Sequence, residues 1–225
     1  MPKVNMIIKS LFICTLVACA SESHRKLEVQ QSSSAATASN YRGPKVPLMV
    51  GKFDNKSNYM RGIFSDGVDQ LGSQSKTILI AHLQRTRRFT MLERDNLKET
   101  AEEAKYKKKS QKIKGADFTI TGDVTEFGRK ETGDRQFFGI LGSGKKQIAY
   151  SKVTLNIVNV LTSEVSYSVS GAGEYELSDR EIVGFGGNSG YDSTLNGKVL
   201  DLAIREATDR LVEGLEQGQW NTKAD

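Results

Sequence analysis

Histidine, tryptophan, proline and cysteine are all scarce in this chain of 225 residues, which holds two, one, three and two of them. The histidines are His24, in a polar N-terminal stretch, and His82, inside a helical pattern. No His/Cys/Asp/Glu grouping suits a metal ion, and no cofactor is expected. A glycine-rich loop between strand and helix, the usual phosphate cradle, is missing too, and together these absences argue against an enzyme. Beyond the N-terminus no run of about 18 apolar residues occurs, which excludes a spanning helix. If such a chain crosses a membrane, it must do so as a barrel. The formal charge of +5, smaller once Lys3 and Lys9 leave with a leader, is too mild to point to nucleic acid. What is present is ordinary: 37% hydrophobic and 26% charged residues, enough for one domain with a real core.

Residues 1–18 read as a signal peptide. Lys3 and Lys9 precede an apolar run, Leu11 to Ala18, that is too short to span a bilayer and ends at Leu16-Val17-Ala18-Cys19. That tetrad resembles the lipobox of bacterial lipoproteins, in which the cysteine is diacylated and becomes the first residue of the mature chain. Cys19 is therefore the expected lipidation site, and acyl chains worth ~0.8 kcal/mol per buried CH2 make a firm anchor. Ala20 follows it, where an Asp would suggest inner-membrane retention in lipoproteins, so the expected address is the outer membrane of a Gram-negative cell, facing the periplasm. With Cys14 cut away and Cys19 acylated, no disulfide can form within the chain. Ser21 to Arg42 is polar and almost without apolar periodicity. The expected division is a leader at 1–18, a lipidated N-terminus and flexible tether at 19–44, and a folded domain at 45–225.

Within that domain Val46 to Phe53 predicts a strand, with Pro47 at its start or on an edge. Asp66 to Leu83 places Val68, Leu71, Ile78, Leu79 and Leu83 at helical spacing, and Arg85, Arg87 and Arg88 complement the helix's negative end. Phe89 to Leu92 predicts a short strand, and Glu93 opens a second helix towards Lys109. The lysine-rich run from Lys105 to Lys114 reads as a solvated helix end. Phe118 to Phe127 and Val153 to Val160 alternate as strands. Leu200, Ala203, Ile204, Ala207, Leu211, Val212 and Leu215 then form one apolar stripe on a last helix from Lys198 to Leu215. The predicted fold is α/β, a mixed sheet flanked by helices.

Val165 to Leu177 alternates without a slip: Val165, Tyr167, Val169, Gly171, Gly173, Tyr175 and Leu177 share one face, and Ser166, Ser168, Ser170, Ala172, Glu174 and Glu176 the other. Such a ribbon fits a half-buried strand on a soluble sheet, and it also fits a barrel strand with lipid on one side and water on the other. It belongs to one of two segments that interrupt the body, residues 126–151 and 166–198, each of which can fold as a hairpin. The candidate turns are Gly142 to Lys145 in the first, and Ser178 to Arg180 or Gly186 to Gly190 in the second. Apolar positions change phase between Tyr150 and Val153, as expected where a strand enters a new environment or meets a bulge.

The order of these elements, and four local words, resemble the curli secretion channel family, CsgG, with its holdfast-anchoring relatives. The words are Arg88 to Leu97 (RFTMLERDNL), Gly115 to Gly122 (GADFTITG), Gln136 to Ile140 (QFFGI) and Val153 to Val160 (VTLNIVNV). The resemblance implies a lipidated periplasmic domain that contributes two β-hairpins to one transmembrane barrel, shared by a homo-oligomer of about nine subunits. It also implies a constriction loop after the first strand, with a Tyr followed by Asn and Phe four and five positions on. Tyr59 and Phe64 match that spacing, and Ile63 stands where the family has Asn. The segment before Gly115 is shorter than in the family, and Thr162-Ser163-Glu164 lacks its Thr-Gly-Glu turn.

The function this implies is passive export of unfolded curli-like or adhesin subunits, aided by periplasmic accessory proteins. Tyr59, Ile63 and Phe64 would form the pore collar, and Glu174 and Glu176 would face the wet lumen. The other reading is a non-spanning outer-membrane lipoprotein that acts as a periplasmic adaptor or an activator of cell-wall synthesis, with both glycine-rich segments left as loops.

Overall fold

Alternating burial builds the first body strand: Val46, Leu48, Val50 and Phe53 are buried, while Pro47, Met49 and Gly51 between them are half-buried. The computed structural model describes residues 21–25, 41–59, 69–135, 143–181 and 195–221. Six strands, β1 (Ser21–Arg25), β2 (Val46–Asn55), β3 (Phe89–Leu92), β4 (Phe118–Arg135), β5 (Ser143–Asn159) and β6 (Val165–Glu181), join in one sheet in the order β1-β6-β5-β4-β2-β3. β3, β2 and β4 run parallel, whereas β4, β5, β6 and β1 pair antiparallel, so the sheet is mixed as expected.

Among the described residues, three helices accompany it: α1 (Gln70–Arg85), α2 (Leu97–Tyr106) and α3 (Leu195–Glu216). α1 packs on β2 and β3, α3 on β5 and β6, and the two helices pack on each other, covering one face. Side chains such as Leu48, Leu83, Ile120, Leu155, Ile204 and Leu211 are fully enclosed there, each burial worth about 1.5–3 kcal/mol. α2 buries none of its residues. The opposite sheet face carries short polar groups, among them Thr119, Thr121, Thr154, Asn156 and Ser170. Past α3, Gly218 takes a positive φ of 71° and turns the chain, so that Trp220 is buried and its indole N–H donates to the Leu211 carbonyl at 3.1 Å.

Element boundaries shift for local reasons. α1 begins at Gln70 because Asp69 caps it: one carboxylate oxygen accepts the Gly72 amide at 2.7 Å, and the other accepts the Asn55 amide at 2.6 Å. Glu93 lies outside α2, because its side chain holds a turn by accepting the Asp95 amide at 2.5 Å. Both candidate turns nearest the strands are excluded. Ser143, Gly144 and Lys145 are already in β5, paired with Arg135, Asp134 and Gly133, and β6 continues through Ser178 to Arg180. Gly186 to Gly190 and the Gln136 to Ile140 word lie outside the described residues.

Two further expectations change. The tether of residues 19–44 contains a strand, since Ser21 to Arg25 pairs with β6 from Ser178 back to Glu174. A polar stretch without apolar periodicity gives no signal for a strand held by backbone pairing alone. The apolar side of Val165 to Leu177 forms the floor beneath α3 only from Tyr167 through Tyr175; the ladder shifts register between Tyr167 and Val165, and Val165 is exposed, so the expected unbroken alternation slips at its first residue. A Cβ on Gly171 would lie 2.3 Å from the Ala203 carbonyl oxygen and the Ala207 amide nitrogen, and one on Gly173 would lie 2.7 Å from Leu202 Cβ. These glycines let a helix backbone rest directly on the strand. The second candidate hairpin, 166–198, therefore begins inside the helix-covered core and ends inside α3.

Candidate functional site

The sheet changes character at one irregularity. β2 leaves β4 at the Asn55–Val124 pair, and a bulge on β4 follows between Val124 and Glu126. From there residues 126–135 of β4 and 143–152 of β5 continue as a regular antiparallel ribbon, with β6 alongside as far as Glu181. Ten extended residues span about 33 Å. Among the described residues, the outer edge of β4 beyond Val124 has no strand beside it.

β5 itself runs without a bulge between Tyr150 and Val153, so its phase change marks a new environment. Ala149, Ser151, Val153 and Leu155 lie on the helix side and are buried, whereas Ile148 and Tyr150 lie on the opposite, open side. There the Tyr150 hydroxyl lies 2.5 Å from where a Gly128 Cβ would be, and Lys130 Nζ sits 5.2 Å from the ring centroid. Glu174 is the register partner of Tyr150, and Glu176 that of Ile148. The two carboxylates share the open face, half-buried, with an aromatic and an aliphatic neighbour. Apolar positions of β5 and β6 thus fall on opposite sides of the sheet in these rows, and neither side is purely greasy or purely wet.

On the helix side of the same rows lies a junction of three segments. Tyr59, the last described residue after β2, packs on Phe127 with ring centroids 4.6 Å apart at 52°. Asn196, in the first turn of α3, donates from Nδ2 to the Tyr59 hydroxyl at 2.9 Å. The side-chain oxygen Oδ1 of Asn196 accepts from Arg129 Nε at 3.0 Å and from Nη2 at 2.8 Å. Asn55 donates to the Tyr59 carbonyl at 2.9 Å and Ser57 Oγ accepts the Tyr59 amide at 3.3 Å, so the loop entrance is fixed from both sides. Nearby, Lys198 Nζ stands 4.9 Å from the Tyr175 ring centroid.

Of the residues singled out in the sequence, Tyr59, Glu174 and Glu176 are therefore described, on two sides of one ribbon. Cys19, Ile63 and Phe64 lie outside the described residues. Arg129 and Asn196 carry no signal in the sequence. They are 67 positions apart, and no periodicity or spacing links a polar residue on a strand to one at a distant helix start.

A second polar contact joins the helices. His82 Nε2 on α1 and Asp201 Oδ1 on α3 are 2.8 Å apart, with His82 buried. That hydrogen bond is the main reason the Asp201 carboxyl is held below its usual 3.8, with Arg205 and Arg85 adding to it against partial burial. Among the described residues, no three His, Cys, Asp or Glu side chains gather as metal ligands, and no helix is long and apolar enough to cross a membrane.

Comparison with known proteins supplies the frame for these features. A protein of Neisseria meningitidis serogroup B, whose name marks it as a candidate lipoprotein, is 60% identical over 206 residues, 92% of either chain. Among solved structures, the PelC dodecamer of Paraburkholderia phytofirmans aligns at 14% identity over 85% of this chain and 97% of its own, with a TM-score of 0.36. Lipoprotein GNA1162 of Neisseria meningitidis aligns at 14% identity over 69% of this chain and 92% of its own, with a TM-score of 0.33. Likeness that loose transfers neither assembly nor activity. Residues 29–225, however, match the family described as curli production assembly/transport component CsgG, and the chain belongs to that family.

Proposed function

We propose that this protein is a lipid-anchored outer-membrane component that assembles with copies of itself into a channel for export of unfolded fibre or adhesin subunits. The observation that carries this reading is the ribbon of β4 and β5. It runs on past the point where β2 leaves it, with one margin unaccompanied among the described residues. Inside lipid an unpaired backbone group costs several kcal/mol, so a ribbon with open margins has to be completed by neighbours. About nine protomers giving four strands each would supply about 36, within the range of closed barrels.

On this reading Cys19 carries the acyl anchor, and periplasmic domains form a vestibule. Tyr59, Ile63 and Phe64 form the collar, with Tyr59 set by Phe127 and Asn196. Paired aromatic rings in each protomer can close around an extended chain yet let it slide, and no nucleotide site is needed for passive transport. Glu174 and Glu176, flanked by Tyr150 and Ile148, fit the neck below the lipid rather than its midplane.

One observation favours the other reading, a non-spanning lipoprotein that serves as a periplasmic adaptor: α3 already covers the apolar face of β6 through Tyr175. The two separate in detergent extracts of the lipidated chain. A channel predicts a large ring by native mass measurement and stepwise conductance in planar bilayers. Monomeric, non-conducting material would overturn it in favour of the adaptor.

A further inference from the structure

β6 has an edge that any growing sheet would use, and in this protomer the chain's own N-terminus occupies it. Ser21 to Arg25 pairs antiparallel with Ser178 to Glu174, residue for residue, immediately where the ribbon rises beyond the body. The strand reads Ser-Glu-Ser-His-Arg, with no apolar residue, so its pairing brings backbone hydrogen bonds and no apolar burial. It covers five positions of a 17-residue strand. Its register places Arg25 opposite Glu174 and Ser23 opposite Glu176, the two carboxylates of the open face. The other margin of the ribbon, β4 beyond Val124, has no such cover among the described residues.

We infer that β1 is a removable edge guard: in the lone protomer it closes the β6 margin against strand addition, and it has to leave before the sheet can be extended into a shared barrel. An exposed long edge is a template for uncontrolled pairing, and a short polar strand laid along it is a means of blunting that hazard. With the β6 margin guarded, two stray protomers cannot join through both margins and propagate. The strand is five residues long and has no apolar residue, so backbone pairing alone holds it, and weakly. Release frees the backbone margin of β6 from Glu174 to Ser178 for pairing with another strand. This inference rests on the channel reading for its consequence, though the pairing itself can be measured apart from it.

The test uses the lipidated full chain with Ser21→Cys and Ser178→Cys, register partners of minimal size change. Cys14 leaves with the leader and Cys19 carries lipid, so within one chain the new thiols can pair only with each other, and non-reducing electrophoresis separates that product from disulfide-linked copies. Oxidised protein is expected to stay monomeric and silent in bilayers, and reduction is expected to restore rings and conductance to wild-type levels. Rings formed equally well by the oxidised variant would overturn the guard. If wild type and reduced variant alike form no rings, the channel reading fails with the guard's role in assembly, and amide exchange judges the pairing alone. Arg25→Glu, placing like charges opposite each other, is expected to speed exchange of the Glu174 to Ser178 amides several-fold in monomers. Unchanged exchange would overturn the pairing.

Discussion

At the scale of single residues, two positions carry more than their size suggests. Gly171 is where the backbone of α3 touches β6, and a methyl there meets main-chain atoms that cannot rotate aside. Gly171→Ala is expected to cost about 1–3 kcal/mol of overpacking. That corresponds to a melting temperature lower by roughly 2–12 °C for a domain of this size. Gly115→Ala, which meets nothing within 4 Å, should leave it unchanged; thermal denaturation of both variants checks the pair. Tyr59 is the second. Tyr59→Phe removes the acceptor that Asn196 uses, a loss of about 1 kcal/mol, while keeping the ring on Phe127. Stability should fall slightly and conductance should persist. Tyr59→Ala together with Phe64→Ala should raise conductance, and unchanged conductance would remove both from the constriction.

At the scale of elements, the contact between α1 and α3 has a pH dependence of known sign. Asp201 has a folded-state carboxyl held below its ordinary value, so its contribution is present above the unfolded value near 3.8 and is lost as pH falls through the folded one. Wild type should therefore lose stability below about pH 4 more steeply than Asp201→Asn, as denaturant melts at pH 7 and pH 3 will show. Much of the body was legible in sequence, because alternation in Val46 to Phe53 and the stripe from Leu200 to Leu215 each answer to a single buried face. The long strand from Val165 was legible as a strand but not in its surroundings. Gly171 and Gly173 signal a close neighbour, and lipid, helix and bare backbone leave the same trace in the alternation. β1 was not legible, since edge pairing through backbone groups imposes no side-chain pattern. The Tyr59–Asn196–Arg129 junction escaped for a related reason: hydrogen bonds between side chains far apart in the chain leave no local signal.

At the scale of the whole molecule, the sheet has a helix-covered half and a ribbon half, joined at the bulge after Val124. The body accounts for its own burial. The ribbon leaves the β4 margin beyond Val124 without a strand beside it among the described residues, and in the proposed channel lipid and neighbouring copies complete it. The most direct measurement places a fluorophore on single cysteines at the strand neighbours Lys145 and Lys146, in lipidated protein reconstituted into liposomes. Successive residues of a barrel strand face opposite media, so one label should be quenched by nitroxide on lipid chains and its neighbour by aqueous iodide. Two labels that respond to iodide alone would contradict membrane insertion and leave an acylated periplasmic domain.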